Sequence, residues 1–170
     1  MLALPERLTR DGIALRPSRK RDQPFLRALF ATLRMDAAAL AQWPEAQREP
    51  FLDDQFRLQD LHFRRFYPKA DFLVIAQHGT PIGRLILDRG PSEWSLIDIG
   101  FLPPFRGRGL GEGLLRWVQA SLKDAGARTF VLQVEFGNPA RRLYERLGFV
   151  EDGNLEPGGL HAAMVWKAGP

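Results

Sequence analysis

Three glycines stand at alternate positions in the run Phe105-Arg106-Gly107-Arg108-Gly109-Leu110-Gly111. Glycine lets a chain turn tightly and lets a ligand approach the backbone closely. Directly after the run, Leu110, Leu114, Val118 and Leu122 recur at helical spacing, with Leu115 and Trp117 widening the apolar face. The spacing predicts a helix that Gly126 closes. The glycines therefore sit where first-turn N–H groups lack partners, and such a turn is a nest for an anion, phosphate above all. Arg106 and Arg108 can add positive charge. The plain alternative is a glycine turn with surface arginines. The strand expected before it and the amphipathic helix after it weigh against that.

Two other phosphate loops do not fit. A P-loop needs Gly-Lys followed by Ser or Thr, which is absent here. A dinucleotide fingerprint belongs in a first βαβ unit with an acid about twenty residues on. Here Phe130 and its neighbours lie at that distance, and too little chain follows for a doubly wound domain.

A second run, Asn138-Pro139-Ala140-Arg141-Arg142-Leu143-Tyr144, begins a helix: Asn caps and Pro is tolerated in a first turn. Gly148 ends it. Tyr144, beside Leu143 and one turn before Leu147, reads by itself as partly core well before it reads as catalytic.

The rest of the chain must position these runs. Gly12–Arg16 reads as a short strand ended by Pro17, and Asp22–Leu33 as a helix with Phe25, Leu29 and Leu33 in a stripe. Residues 34–49 are less defined: Ala37-Ala38-Ala39 suits a helix and Trp43-Pro44 interrupts. A second helix is expected over Pro50–Arg65, stopped by Tyr67-Pro68. Phe72–Ala76 and Ile82–Leu87 read as a hairpin turning at His78-Gly79. Trp94–Leu102 is a long strand ended by Pro103-Pro104, and Thr129–Val134 another. Phe149–Glu151 and Leu160–Trp166 are the last strands, with Pro157-Gly158-Gly159 between them. The order β, α, α, β, β, β, α, β, α, β, β is a mixed α/β class. It predicts one domain over 1–170, with a central sheet of about six or seven strands flanked by about four helices.

Composition agrees with a single core: 170 residues, 45% hydrophobic. No cysteine is present, which removes disulfides, thiolate nucleophiles and thiolate metal sites. No apolar run is long enough for a membrane span, and Met1–Arg7 has no basic-then-apolar leader, so no membrane contact and a cytoplasmic location are expected. The net charge of +4 comes mostly from arginine. The arginines do not alternate with aromatics along a strand or form a recognition helix, so no nucleic acid is expected. His62, His78 and His161 are scattered, and no metal is expected. His78 reads as a turn residue, and His161 has no obvious acid partner in sequence.

The glycine run resembles the Arg/Gln-x-x-Gly-x-Gly/Ala element of the GCN5-related N-acetyltransferases, matched by Arg106, Gly109 and Gly111. The run from Asn138 through Tyr144 to Gly148-Phe149 looks like that family's segment after its fifth core strand, and Phe72–Leu87 looks like its hairpin. The likeness extends over about 12–167 and is strongest over 97–149. It implies the family's acyl-CoA N-acyltransferase fold, acetyl-CoA as cosubstrate and direct transfer to an amine, with no covalent enzyme intermediate. It implies that the loop amides, with Arg106, Gly107, Arg108, Gly109, Leu110 and Gly111, hold the pyrophosphate. Ile99, Gly100, Phe101 and Leu102 would lie on a splayed strand whose free backbone pairs with the pantetheine arm. Asn138 would bond the pantetheine region, Arg141 would meet phosphates or water, and Tyr144 would protonate the leaving thiolate.

The general base departs from better-known relatives. Where several carry Glu on the central strand, the approximate match is Ser95. Glu93 and Glu135 rank together as substitutes, followed by Asp98, which alternation places on the opposite face from Ile97 and Ile99. A water relay is an equal alternative. The acceptor is expected to be a small-molecule primary amine, with a peptide or protein amine as the alternative. Acids and aromatics mixed over 45–65 would suit a cationic acceptor or form a plain solvated face. Gln55, Gln59, His62 and Arg84 are the acceptor-side candidates. A non-catalytic acyl-CoA sensor is the rival class, and a homodimer remains open.

Overall fold

The computed structural model describes residues 3–34, 40, 42–153 and 160–169. The expected helix at Ala37-Ala38-Ala39 and turn at Pro157-Gly158-Gly159 lie outside them. The elements are α1 (Glu6–Arg10), β1 (Ile13–Pro17), a 3-10 turn (Lys20–Asp22), α2 (Gln23–Arg34), α3 (Glu45–Phe66), β2 (Asp71–Gln77), β3 (Thr80–Arg89) and β4 (Glu93–Phe101). A second 3-10 turn (Pro103–Phe105) leads to α4 (Leu110–Asp124), β5 (Thr129–Glu135), α5 (Ala140–Arg146), β6 (Val150–Glu151) and β7 (His161–Lys167).

All seven strands join one sheet in the order β1-β2-β3-β4-β5-β7-β6. The β4–β5 pair is parallel and the other neighbours run antiparallel. This is the expected mixed sheet, flanked by helices on both faces.

Two differences from the expected elements have local causes. The five-residue α1 is too short to show a period, yet it buries Leu8 against the core. Helix α3 starts at Glu45 rather than Pro50, because Pro44 stands at its N-cap and does not break it. Pro50 lies inside the helix, where it cannot bond the carbonyl of Ala46, and it faces water.

One face of the sheet packs on α1, α4 and α5. Leu85, Trp94, Leu96, Phe130, Leu132 and Met164 meet Leu114, Leu115, Val118, Leu122 and Leu147 there. The other face is covered only in part. Val74 packs on Leu26, Phe30, Leu52 and Phe56 of α2 and α3. Over β5 and β7 the same face is exposed at Gln133, Glu135 and His161, while Val165 farther along it is buried. At the edge of the covered half, Asp22 accepts both Arg16 guanidinium bonds at 2.7 Å and the Arg19 amide at 2.8 Å, bracing β1 to the turn before α2. No helix among the described residues is long and apolar enough to cross a membrane.

Candidate active site

The site begins where β4 leaves β5. Their ladder runs from Glu93↔Thr129 to Leu96↔Leu132 and stops there, although β4 continues to Phe101 and β5 to Glu135. On its other side β4 stays paired with β3, except that Ile97 has no partner between Leu96↔Leu87 and Asp98↔Ile86. One extra residue is a β-bulge, which bends and twists its strand. The bulge thus sits at the apex of the opening and leaves one backbone edge of β4 unpaired past Leu96. It also corrects the simple alternation expected around Asp98, because Ile97 is the extra residue and only Ile99 alternates regularly with it.

At the far end of that edge, Phe105 and Arg106 bond back to Leu102 and Pro103. Gly107 (φ 68°) and Gly109 (φ 77°) take the left-handed conformation, and α4 follows. The first loop or helix-entry amide after Arg106 to find a backbone acceptor is Gly113, on Gly109 O at 2.9 Å. Among the described residues the amides of 107–112 have none. A Cβ at Gly107 or Gly109 would meet nothing within 4 Å, so the space above them is open. Consecutive free amides, left-handed glycines and a helix N-terminus form an anion nest.

The two arginines of the loop differ in setting. Arg106 donates to Phe101 O at 2.9 Å and Thr32 Oγ1 at 3.2 Å, tying the loop to β4 and α2. Arg108 is exposed and lies over the Phe105 ring at 5.7 Å. It lines a cleft of about 380 Å³ with Arg10, Asp11, Gln77, His78, Phe105 and Leu110, on the β2–β3 hairpin side of the loop.

Across the opening stands α5. Asn138 Oδ1 accepts the Ala140 amide at 2.9 Å, which is the cap its position predicted. Arg141 bonds Glu145 and Glu151, each at 3.0 Å, and those carboxylates hold its guanidinium charged. Tyr144 is 7% exposed, with Phe149 edge-on at 5.9 Å. Its hydroxyl makes no hydrogen bond among the described residues. The one fully enclosed side-chain polar atom without a bond among those residues is Arg48 Nε, so the Tyr144 hydroxyl reaches open space. Burial pushes the phenol up to about 12, and the negative Asp98 adds to that. It stays a proton donor through neutral pH.

On the partly covered face the structure brings three separately chosen residues together. Arg84, only 5% exposed, donates Nε to Asp98 Oδ2 at 2.7 Å and Nη2 to Gln59 Oε1 at 3.0 Å. Asp98 is therefore the counterion of a buried cation. His62 is exposed on α3 with its ring 4.5 Å from Phe66, and Gln55 is exposed one turn before Gln59.

The other acids divide by position. Glu93 opens β4 at the closed end of the ladder, roughly 25 Å along the strand from Phe101. Glu135 ends β5 at the open end, and opposite it His161 Nε2 lies 3.7 Å from Glu135 Oε1. His161 thus has the acid partner that sequence spacing concealed, because the register of β5 against β7 supplies it.

The chain is similar to known proteins in sequence and in fold. Residues 34–149 match the model of the Acetyltransferase (GNAT) family. Over 79 residues the chain is 37% identical to [ribosomal protein bS18]-alanine N-acetyltransferase of Haemophilus influenzae, covering 46% of this chain and 54% of that protein. Over 122 residues it is 30% identical to mycothiol acetyltransferase of Corynebacterium glutamicum, covering 66% of this chain and 42% of that one. The chain spans about half the length of these relatives. The fold superposes on PaiA N-acetyltransferase of Thermoplasma acidophilum, solved in complex with coenzyme A, with a TM-score of 0.68 at 19% identity over 92% and 99% of the two chains. An acetyltransferase of Thermus thermophilus gives 0.67 at 24% identity, over 92% of this chain and 97% of that one. The family match covers most of the chain, and the chain belongs to the Acetyltransferase (GNAT) family.

Proposed function

We propose that this chain transfers an acetyl group from acetyl-CoA to a primary amine, with a small-molecule amine as the first choice of acceptor. The observation that carries the reading is the run of unbonded amides over 107–112 at one end of an unpaired strand edge, facing a buried tyrosine whose hydroxyl has no partner among the described residues. A diphosphate needs several N–H donors at a helix N-terminus, and an amide-bearing arm needs a free strand edge. Both are present, so acetyl-CoA fits these residues. Bound there, it supplies an already activated thioester.

The chain's residues then have limited work. Residues 107–112 anchor the diphosphate through backbone N–H groups, while Arg106 keeps the loop braced. The free edge of β4 at Ile99, Gly100, Phe101 and Leu102 orients the arm and offers an N–H to a carbonyl oxygen gaining charge. Asn138 holds its Nδ2 donors free for the arm, since only its Oδ1 is engaged in the cap. Tyr144 gives its proton to the departing sulfur.

The acceptor approaches over the exposed ends of β5 and β7 at Glu135 and His161, on the face of the sheet that carries Gln59, Arg84 and Asp98. Glu135, with His161 opposite, is the acid at that mouth and takes the ammonium proton directly or through water. Gln55 and His62 border the approach from α3.

A peptide amine is the second reading. The 37% identity to an enzyme named for a ribosomal-protein alanine favours it, whereas the match to mycothiol acetyltransferase favours a small molecule. The test is thiol release from acetyl-CoA across polyamines, amino acids, aminoglycosides and short peptides with free N-termini. Turnover with one class assigns the acceptor. Saturable CoA binding with no turnover in any class would leave a sensor module, and no CoA binding would overturn the reading.

A further inference from the structure

Helix α3 has an inner and an outer face of opposite character. Leu52 and Phe56 are buried against α2 and β2. Leu58 and Leu61 point the other way and are 53% and 63% exposed. Phe51, Asp54, Leu58, Leu61 and Arg65 follow one another at intervals of three and four, the seam spacing of paired helices. Trp43 packs on Phe51 with ring centroids 5.3 Å apart, while Leu58 and Leu61 stay exposed.

The stripe is complementary to itself. Asp54 stands four residues before Leu58, and Arg65 four residues after Leu61. Turning a second helix end for end about the point between Gln59 and Asp60 lays Leu58 on Leu61 and Asp54 on Arg65, twice over. Arg65 has no carboxylate partner among the described residues and lies 5.9 Å over the Phe66 ring. Asp54 meets Arg57 at 3.2 Å, with both side chains mostly exposed. Such a pair contributes little and leaves the carboxylate free to take a second cation.

We propose that this face binds a second copy of the chain, α3 against α3 in antiparallel about a twofold axis between Gln59 and Asp60. Self-complementarity is what an isologous interface requires, since each contact must occur with its mirror. About that axis the two helices overlap over residues 53–66, roughly 21 Å, which takes in both Leu58–Leu61 and both Asp54–Arg65 contacts and leaves Phe51 beyond the overlap. A lone helix pair falls at or below the roughly 1,200 Å² of a standard interface, so the dimer dissociates on dilution. The seam leaves Gln59 and Arg84 on the inner side, so association does not consume the acceptor approach.

Sedimentation equilibrium of the full chain over a wide concentration range tests this. The unaltered chain should show a monomer–dimer equilibrium. Leu61→Arg should weaken it at least tenfold, about 1.4 kcal/mol. Asp54→Arg and Arg65→Asp should each weaken it, and the two together should restore it, because the swap rebuilds both pairs. A chain that stays monomeric at every concentration overturns the proposal. So does a dimer indifferent to Leu61→Arg, or a double swap no better than either single change. Restoration by the swap also answers the objection of misfolding, which a second charge change would not cure.

Discussion

The two sides of the β4–β5 opening are built from different materials. On the cofactor side the work falls to backbone: residues 107–112 present N–H groups, the edge of β4 past Leu96 presents a strand, and the arginines turn inward or outward. On the proposed acceptor side the work would fall to side chains, the Arg84–Asp98–Gln59 cluster and the Glu135–His161 pair. A backbone site can serve any side-chain variation around it as long as the chain path holds. A side-chain site is rewritten by single substitutions. That difference explains how one scaffold keeps a cofactor while its acceptor is free to change.

Tyr144 is the exception, a side chain on the backbone-built side, and its removal should have the largest effect. Tyr144→Phe keeps the ring against Phe149 and deletes only the hydroxyl. We expect kcat to fall about 10²–10³-fold with little change in CoA affinity, by steady-state turnover and calorimetry. Equal loss in kcat and in CoA binding would make Tyr144 a packing residue and remove the proton-donor role.

The next largest break comes from Gly109→Val. A β-branched residue at φ 77° is strained, and the loop path must shift to relieve it. Losing two or so amide contacts to a diphosphate, each worth roughly 1.5–3 kcal/mol, should weaken CoA binding about a hundredfold or more. Unaltered affinity in a folded variant would show that the nest does not hold the cofactor. Arg106→Gln should act differently, loosening the loop without deleting a ligand contact.

The same division decides what could be read from the chain alone. Glycine and proline dictate backbone, so the loop over 106–111, the strand end at Pro103-Pro104 and the helix after Asn138-Pro139 were legible as spacing. The periodic helices and most strands were legible for the same reason. Side-chain partners depend on register. Arg84 and Asp98 lie 14 residues apart, and Arg84 and Gln59 lie 25 apart; they meet only because β3 pairs with β4 and α3 crosses above. The bulge at Ile97 leaves no glycine or proline mark, yet it stands next to the last β4–β5 pair, where the opening begins. The inward turn of Arg106 was hidden likewise, since Thr32 lies 74 residues away.

Acid should separate the two sides. The cofactor side holds its shape through backbone, whereas the covered acceptor half is braced by Asp22, whose carboxyl is held down at about 2 by the Arg16 guanidinium and the Arg19 amide. A carboxyl with a depressed folded value contributes stability above its unfolded value near 3.9 and loses it as pH falls towards 2. With Arg16 partly in water, the loss should be roughly 1–2 kcal/mol across that window, read from urea unfolding at each pH. Asp22→Asn should be less stable at pH 7 and flatter between pH 4 and 2. An unchanged slope would place the acid sensitivity elsewhere.

The smallest effect makes the sharpest contrast, because it concerns a glycine in the same motif. At Gly111 the backbone is helical, and an added Cβ would meet Leu143 Cδ2 and Phe101 Cε2 at 3.7 Å, ordinary contact. Gly111→Ala keeps its amide N–H, removes a flexible residue from the first turn of α4 and should raise stability by up to about 1 kcal/mol. CoA affinity should stay within about twofold. If alanine at 111 weakens binding as much as valine at 109, the cofactor touches the Cα face of that turn as well as its amides, and the side built from backbone N–H groups is narrower than the run of free amides implies.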